Sequence, residues 1–204
     1  NLVLDNSTLN VTVNEQNFKA TGNSTVTLTN GSSIVVAGAF ETGSNTKVSV
    51  DATSTIIDKN GVVAFITGEG TDANPYIIDN AAELVLFRNS VNAGETKYNA
   101  EGVCVALGAD IDLAGIDWSV NIGDDCAVTF DGIFDGKGFT ISNLTSTETA
   151  LKGDGYICTG LFGAIYGSAQ IKNLTLENVN ITAEYTGNNV ASLVGFAYNC
   201  SGVI

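Results

Sequence analysis

The chain has 204 residues, with 8 basic against 22 acidic side chains and a formal charge of −14, so nucleic acid and anionic membranes are not expected as partners. No histidine is present, which removes from this chain alone the Ser-His-Asp and Cys-His nucleophile systems, His-ligated zinc and any imidazole base. The 23 glycines, single proline and abundant Asn, Thr, Ser and Val suit short strands and tight corners rather than helices.

Residues 1–66 read as strands at rhythmic spacing: Leu9-Asn10-Val11-Thr12-Val13, Val26-Thr27-Leu28, Ile34-Val35-Val36, Val48-Ser49-Val50, Ile56-Ile57 and Val62 to Ile66. Asn6-Ser7-Thr8 recurs as Asn23-Ser24-Thr25, and Asn45-Thr46 follows, so repeats of roughly 17–22 residues are expected, about one turn of a small β-solenoid. A β-sandwich also uses many short alternating strands. The self-similarity at one-coil spacing and the near absence of proline favour stacked parallel coils.

The rhythm breaks at Gly68 to Pro75, and Tyr76-Ile77-Ile78 begins a second region, 67–204. Asp79-Asn80 can cap a helix near 79–93, with Ala82, Leu84, Val85, Phe87 and Val91 close to one face and an end near Gly94; it is expected on the flank or the end of a stack. Larger coils follow. Strands are expected at 102–107 and at Ala109 to Leu113, then in Phe130 to Ile141, whose pattern returns at Ile171-Lys172-Asn173-Leu174-Thr175. Gly160-Leu161-Phe162-Gly163 is echoed by Ser192-Leu193-Val194-Gly195, 32 residues on. The two regions are expected to be continuous. With Asn at position 1 and the last coil cut at Ile204, the chain is expected to be a piece of a longer protein. No run of 18 apolar residues exists, so no membrane insertion is expected.

The cysteines at 104, 126, 158 and 200 stand 22, 32 and 42 residues apart with no Cys-x-x-Cys pair, which disfavours zinc ribbons and redox sites. The separations suggest whole numbers of coils. Packing as small buried hydrophobes is the first reading, and disulfides between neighbouring coils the second.

Residues 68 to about 200 resemble the GLUG-motif repeat proteins, β-helical regions of large secreted bacterial surface proteins that also occur beside immunoglobulin A protease domains. The matching residues are Gly68, Gly70 and Thr71 with Pro75 to Ile78; Ala109 to Leu113; Trp118 with Ile122-Gly123; Phe130, Gly132, Phe134 to Gly136, Gly138, Thr140 and Ile141; Gly160 to Gly163; and Ile171 to Leu174. The resemblance implies an all-β fold, a right-handed parallel β-helix (β-solenoid) with one short flanking α-helix, outside the cell or on its surface. It brings no catalytic residues, because the family motif is structural.

Candidate sites are few. Asp110, Asp112 and Asp117 form an acidic stripe beside Trp118, a combination that grips sugar rings by stacking and hydroxyl bonds, although a single Trp more often fills a core or corner. Tyr156, Tyr166, Tyr185 and Tyr198 would add to a glycan surface if they shared one face. Asp131 and Asp135 could contribute to a calcium site, the ordinary reading being tight-corner chemistry; no other cofactor is expected. Gly123-Asp124-Asp125-Cys126 looks like a polygalacturonase motif, but the histidine and arginine segments of that family are missing. Gly136-Lys137-Gly138 lacks the frame of a phosphate loop. If the coil template carries a ligand site, the insert from Thr145 to Asp154 and the outward acids are where it should lie. The expectation is a non-catalytic adhesin, stalk or binding module, with a glycan, a host or cell-surface protein, or neighbouring coils of the same or another chain as partners. The alternatives are a carbohydrate-active enzyme and an accessory region of a surface protease.

Overall fold

A computed structural model of the chain describes residues 1–11, 17–43, 45–50, 53–124, 128–149, 158–184 and 189–201. They form two compact units, Asn1–Thr67 and Gly68–Ile204.

In the first unit, alternating apolar and polar residues make short strands: β1 (Leu2–Asp5), β2 (Thr8–Val11), β3 (Phe18–Ala20), β4 (Thr25–Thr29), β5 (Ser33–Val36), β6 (Phe40–Thr42), β7 (Lys47–Val50), β8 (Thr55–Asp58) and β9 (Gly61–Val62). The sheets run β1-β4-β7, β2-β5-β8-β9 and β3-β6, and every pair except β8-β9 is parallel. Leu2 lies against Val26 and Val26 against Val48; Leu9 against Ile34 and Ile34 against Ile56; Phe18 against Phe40. The repeat is therefore 22 to 25 residues. The 17-residue echo is not the repeat, since Asp5 pairs with Thr29 and so Asn6 falls opposite Asn30. Leu28, in one of the apolar columns this register creates, and Ile34 and Ile56, in another, are fully buried.

Val62 to Ile66 do not form another parallel strand. Asp58 accepts a bond from Asn60 N–H at 2.7 Å, the chain turns back through Lys59 and Asn60, and β9 lies antiparallel on β8. Phe65 then packs edge-on against Phe40, 5.6 Å between centroids. A hairpin thus closes one sheet edge of this unit, a standard protection for an exposed strand.

The second unit opens with β10 (Tyr76–Ile78) and α1 (Ala81–Asn92), followed by β11 (Cys104–Leu107), β12 (Ile111–Asp112), β13 (Ile133–Asp135), β14 (Thr140–Ser142), β15 (Thr145–Glu148), β16 (Cys158–Thr159), β17 (Phe162–Tyr166), β18 (Gln170–Lys172), β19 (Thr175–Glu177), β20 (Asn180–Ala183), β21 (Asn189–Val190) and β22 (Val194–Tyr198). The sheets are β10-β11-β13-β18, β12-β14-β19, β15-β20, β16-β21 and β17-β22, all parallel. Single bridges from Asp117 to Thr145, Ile122 to Phe162 and Phe130 to Ile165 extend two of them, β15-β20 and β17-β22, to the preceding rung. The strands recur in one order, so 104–130, 133–166 and 170–198 are successive rungs.

Phe130, Phe134 and Phe162 are fully buried at the centre, with Phe130–Phe162 and Phe134–Phe162 centroids 5.2 and 5.3 Å apart. Burying each such ring is worth roughly 2–3 kcal/mol. The register also sets Gly123, Gly163 and Gly195 in one column. A Cβ on Gly163 would come within 2.7 Å of Gly123 O, and one on Gly195 within 2.6 Å of Thr159 N. The Gly-Leu-Phe-Gly echo therefore exists because only hydrogen fits between these backbones.

Cys104 and Cys158 do not stack on one another. The rung length varies, and Cys104 lies against Ile133 while Cys158 lies against Asn189. Cys104 and Cys158 are buried and Cys200 is half-buried; Cys126 is outside the described residues.

Candidate functional site

Helix α1 begins where Asn80 Oδ1 accepts Glu83 N–H at 3.0 Å and Glu83 Oε2 accepts Asp79 N–H at 2.7 Å, a reciprocal capping pair. It ends with Gly94 at φ 74° donating to Val91 O. Leu84, Phe87 and Val91 are fully buried, and Phe87 meets Phe130 and Phe134 at 5.8 and 5.9 Å. The helix and the turn after it do more than pack. Arg88 donates to Asp117 O and Val120 O, both at 3.2 Å. Asn92 donates to Asn121 O at 2.8 Å and accepts from Gly123 and Asp124 N–H. Asn99 donates to Thr129 O and accepts from Asp131 N–H, both at 2.8 Å. These side chains supply the hydrogen bonds that a preceding strand would have given the first rung.

Arg88 also lies 4.7 Å over the Trp118 ring. Trp118 is fully buried and donates from Nε1 to Leu161 O at 3.1 Å. It presents no free face to a sugar, so its place in the glycan-gripping set is corrected: the ring fills the core beneath the cap.

The acidic stripe is likewise divided. Asp110 accepts from Thr140 N–H at 2.8 Å, and Asp112 accepts from Asn143 Nδ2 at 2.8 Å and Ala114 N–H at 2.9 Å. Both join their rung to the next one. The Asn143 and Ala114 bonds hold the Asp112 carboxyl below its usual range. Asp117 turns elsewhere. Its carboxylate accepts from the N–H and the hydroxyl of Ser119, both at 2.9 Å, which lower its pKa.

Asp117 borders an open depression of about 440 Å³ shared with Ser119, Val120, Asp124, Thr147, Glu148 and Thr149. It brings carboxylates and hydroxyls together beside the partly apolar Val120, 43% exposed. That mixture suits a polyol, through bonds to its hydroxyls and contact with its C–H faces. Sequence reasoning reached Asp117 and the 145–154 insert, of which 145–149 are described. It passed over Arg88, Asn92 and Asn99, although Arg88 and Asn92, four residues apart on one helix face, were the available signal.

Asp131 and Asp135 do not assemble a calcium site. Asp131 accepts from Ser168 N–H at 3.1 Å, at one end of β13. Asp135, at the other end, accepts from Asn173 Nδ2 at 3.0 Å and Lys137 N–H at 2.9 Å, with the Lys137 and Lys172 ammonium groups 3.0 and 3.8 Å away. Burial would raise its pKa, but these partners together outweigh burial and lower it. Two ammonium groups occupy the place a cation would take. No group of three or more acidic, Cys or His ligands poised for a metal occurs among the described residues.

Tyr166 and Tyr198 do share a face, stacked 5.7 Å apart and 39% and 58% exposed; Tyr156 and Tyr185 are outside the described residues, as is Asp125. No described helix is long and apolar enough to cross a membrane, which says nothing of membrane β-barrels.

No family model matches the chain, and no solved structure matches it. Two known proteins are similar to it. Halomucin of Haloquadratum walsbyi is 34% identical over 148 residues, which are 68% of this chain and 2% of halomucin. A protein of Evansella cellulosilytica named as a Gly-rich membrane protein is 38% identical over 141 residues, 66% of this chain and 14% of that protein. The chain thus spans a small fraction of the relatives it matches.

Proposed function

We propose that this chain is a non-catalytic segment of a secreted or cell-surface protein, a right-handed parallel β-helix of the GLUG-repeat kind, that serves as stalk, adhesin or binding module with carbohydrate as the candidate ligand class. The observation that carries the reading is the set of parallel ladders, repeating in one order with in-register columns and headed by a helix whose side chains stand in for a missing strand. A stack of this sort places outward side chains at fixed spacing along an extended surface. The match to small parts of two much longer proteins, one named as a membrane protein, supports a segment of a large surface polypeptide. The depression beside Asp117 is the place where a glycan would be held.

The test is a glycan array probed with and without Ca²⁺, followed by reducing-sugar and unsaturated-uronate assays on every glycan bound. Binding without turnover is expected. Asp117→Asn combined with Thr147→Ala should weaken binding about tenfold or more, the loss of one or two hydroxyl-directed bonds. Turnover that disappears in Asp117→Asn or Asp124→Asn would contradict the non-catalytic reading.

A further inference from the structure

The dipeptide Asn-Gly occurs twice in the chain, as Asn30-Gly31 and Asn60-Gly61. In this pair a side-chain amide is followed by a backbone nitrogen that no Cβ shields. Both pairs lie at corners of the first unit, and the structure treats them in opposite ways. Asn30 Nδ2 donates to Asp5 Oδ1 at 2.7 Å, and Gly31 N–H donates to Thr53 Oγ1 at 2.9 Å, so the amide and the nitrogen are each held to a neighbouring rung. Asn60 is exposed, in the two-residue turn between β8 and β9. Its backbone N–H donates to Asp58 Oδ1, but its side-chain amide has no hydrogen-bond partner among the described residues. Gly61 is exposed as well, and a Cβ there would meet no atom within 4 Å.

We propose that Asn60 is a site of spontaneous modification, where the amide is converted through a cyclic imide to aspartate and isoaspartate, and that the isoaspartyl form frees β9 from β8. In the first step the Gly61 nitrogen gives its proton to solvent base and bonds to Asn60 Cγ, while the Cγ–Nδ2 bond breaks and the amide nitrogen leaves as ammonia. Water then opens the ring. Addition at Cγ breaks the new bond and gives aspartate. Addition at the Asn60 backbone carbonyl carbon breaks the original peptide bond instead, so the chain runs through Cβ and Cγ and gains a backbone atom. Water is the only co-reactant. The hairpin is short enough for that atom to matter. Asp58 pairs with Gly61 and Ile57 with Val62, and Val63 N–H donates to Ile56 O at 2.8 Å, so the two-residue turn sets the whole antiparallel register. Both residues of β9 are exposed, which leaves little burial to hold it once the register is lost. Its release uncovers the edge of β8, whose other side pairs with β5.

Peptide mapping by mass spectrometry of the whole chain, incubated at pH 7 and at pH 9, tests this, with isoaspartyl methyltransferase labelling and backbone hydrogen exchange on the same samples. The expected result is a gain of about 1 Da confined to the peptide that holds Asn60, with the methyl label there and Asn30 unchanged. Conversion should be faster at pH 9, because the attacking nitrogen must lose its proton. In the isoaspartyl fraction the Val63 N–H should exchange about tenfold or more faster than in the parent. Freshly prepared Asn60→Asp adds the charge without the extra chain atom and should keep Val63 slow, and Asn60→Ser should abolish both the mass gain and the label. An Asn60 that stays intact in the folded chain, while the same peptide released by digestion converts, overturns the proposal, as does equal conversion at Asn30. Slow exchange at Val63 in the isoaspartyl fraction, or fast exchange in Asn60→Asp, overturns the release of β9.

Discussion

Asn92 makes three hydrogen bonds that no other helix residue repeats, to Asn121 O and from the N–H groups of Gly123 and Asp124. Asn92→Ala should cost roughly 2–3 kcal/mol, because it strands backbone groups at a partly buried rung edge, whereas Asn89→Ala, at an exposed position, should cost less than about 0.5 kcal/mol. Urea titration of each variant measures the difference. Glu83 offers a second test. Burial, aided by the Asp79 carboxylate and opposed by bonds from Asp79 N–H and Asn80, raises its pKa to about 7. The stability tied to this group is complete below the ordinary carboxyl range and is lost as pH rises through about 7. Asp135 runs the other way, its contribution being present above the usual aspartate range and lost as pH falls through its lowered value. Thermal midpoints of Glu83→Gln should therefore fall less than those of the parent between pH 5 and pH 8, the range through which the Glu83 contribution is lost. Parallel profiles would show that Glu83 does not titrate there.

At the scale of elements, much was legible because periodicity reports packing directly. The apolar positions Leu84, Phe87 and Val91 place the helix, Asn80 caps it, and all three apolar residues are fully buried. Alternation likewise marked the strands. What was hidden had a local cause. Asn6-Ser7-Thr8 resembles Asn23-Ser24-Thr25 because corners share chemistry, but Asn6 and Asn30 are the residues that turn the chain at φ 45° and 56° on successive rungs. Cysteine spacing failed because the rungs differ in length, and Trp118 gave no sign that Arg88 and Leu161 would enclose it. The Gly-Leu-Phe-Gly element yields a further prediction. Gly163→Ala forces a Cβ between two backbones and should cost about 2 kcal/mol or more, read as a lowered denaturation midpoint, while Gly115→Ala meets no atom within 4 Å and pays only the milder strain of its φ of 78°.

For the whole molecule, the problem set by parallel rungs is the edge. The first unit closes one sheet edge with the antiparallel β9, and in the second α1 and the turn after it hydrogen-bond the backbone of the 104–130 rung. All of this depends on strands pairing in parallel with partners some 30 residues away rather than with their neighbours in sequence, as a sandwich would require. Backbone nuclear Overhauser contacts between strands test that claim most directly. Parallel rungs give contacts across Ile133/Gln170, Thr140/Thr175 and Thr145/Asn180 in parallel register. Antiparallel contacts joining β13 to β14, or β19 to β20, would contradict it.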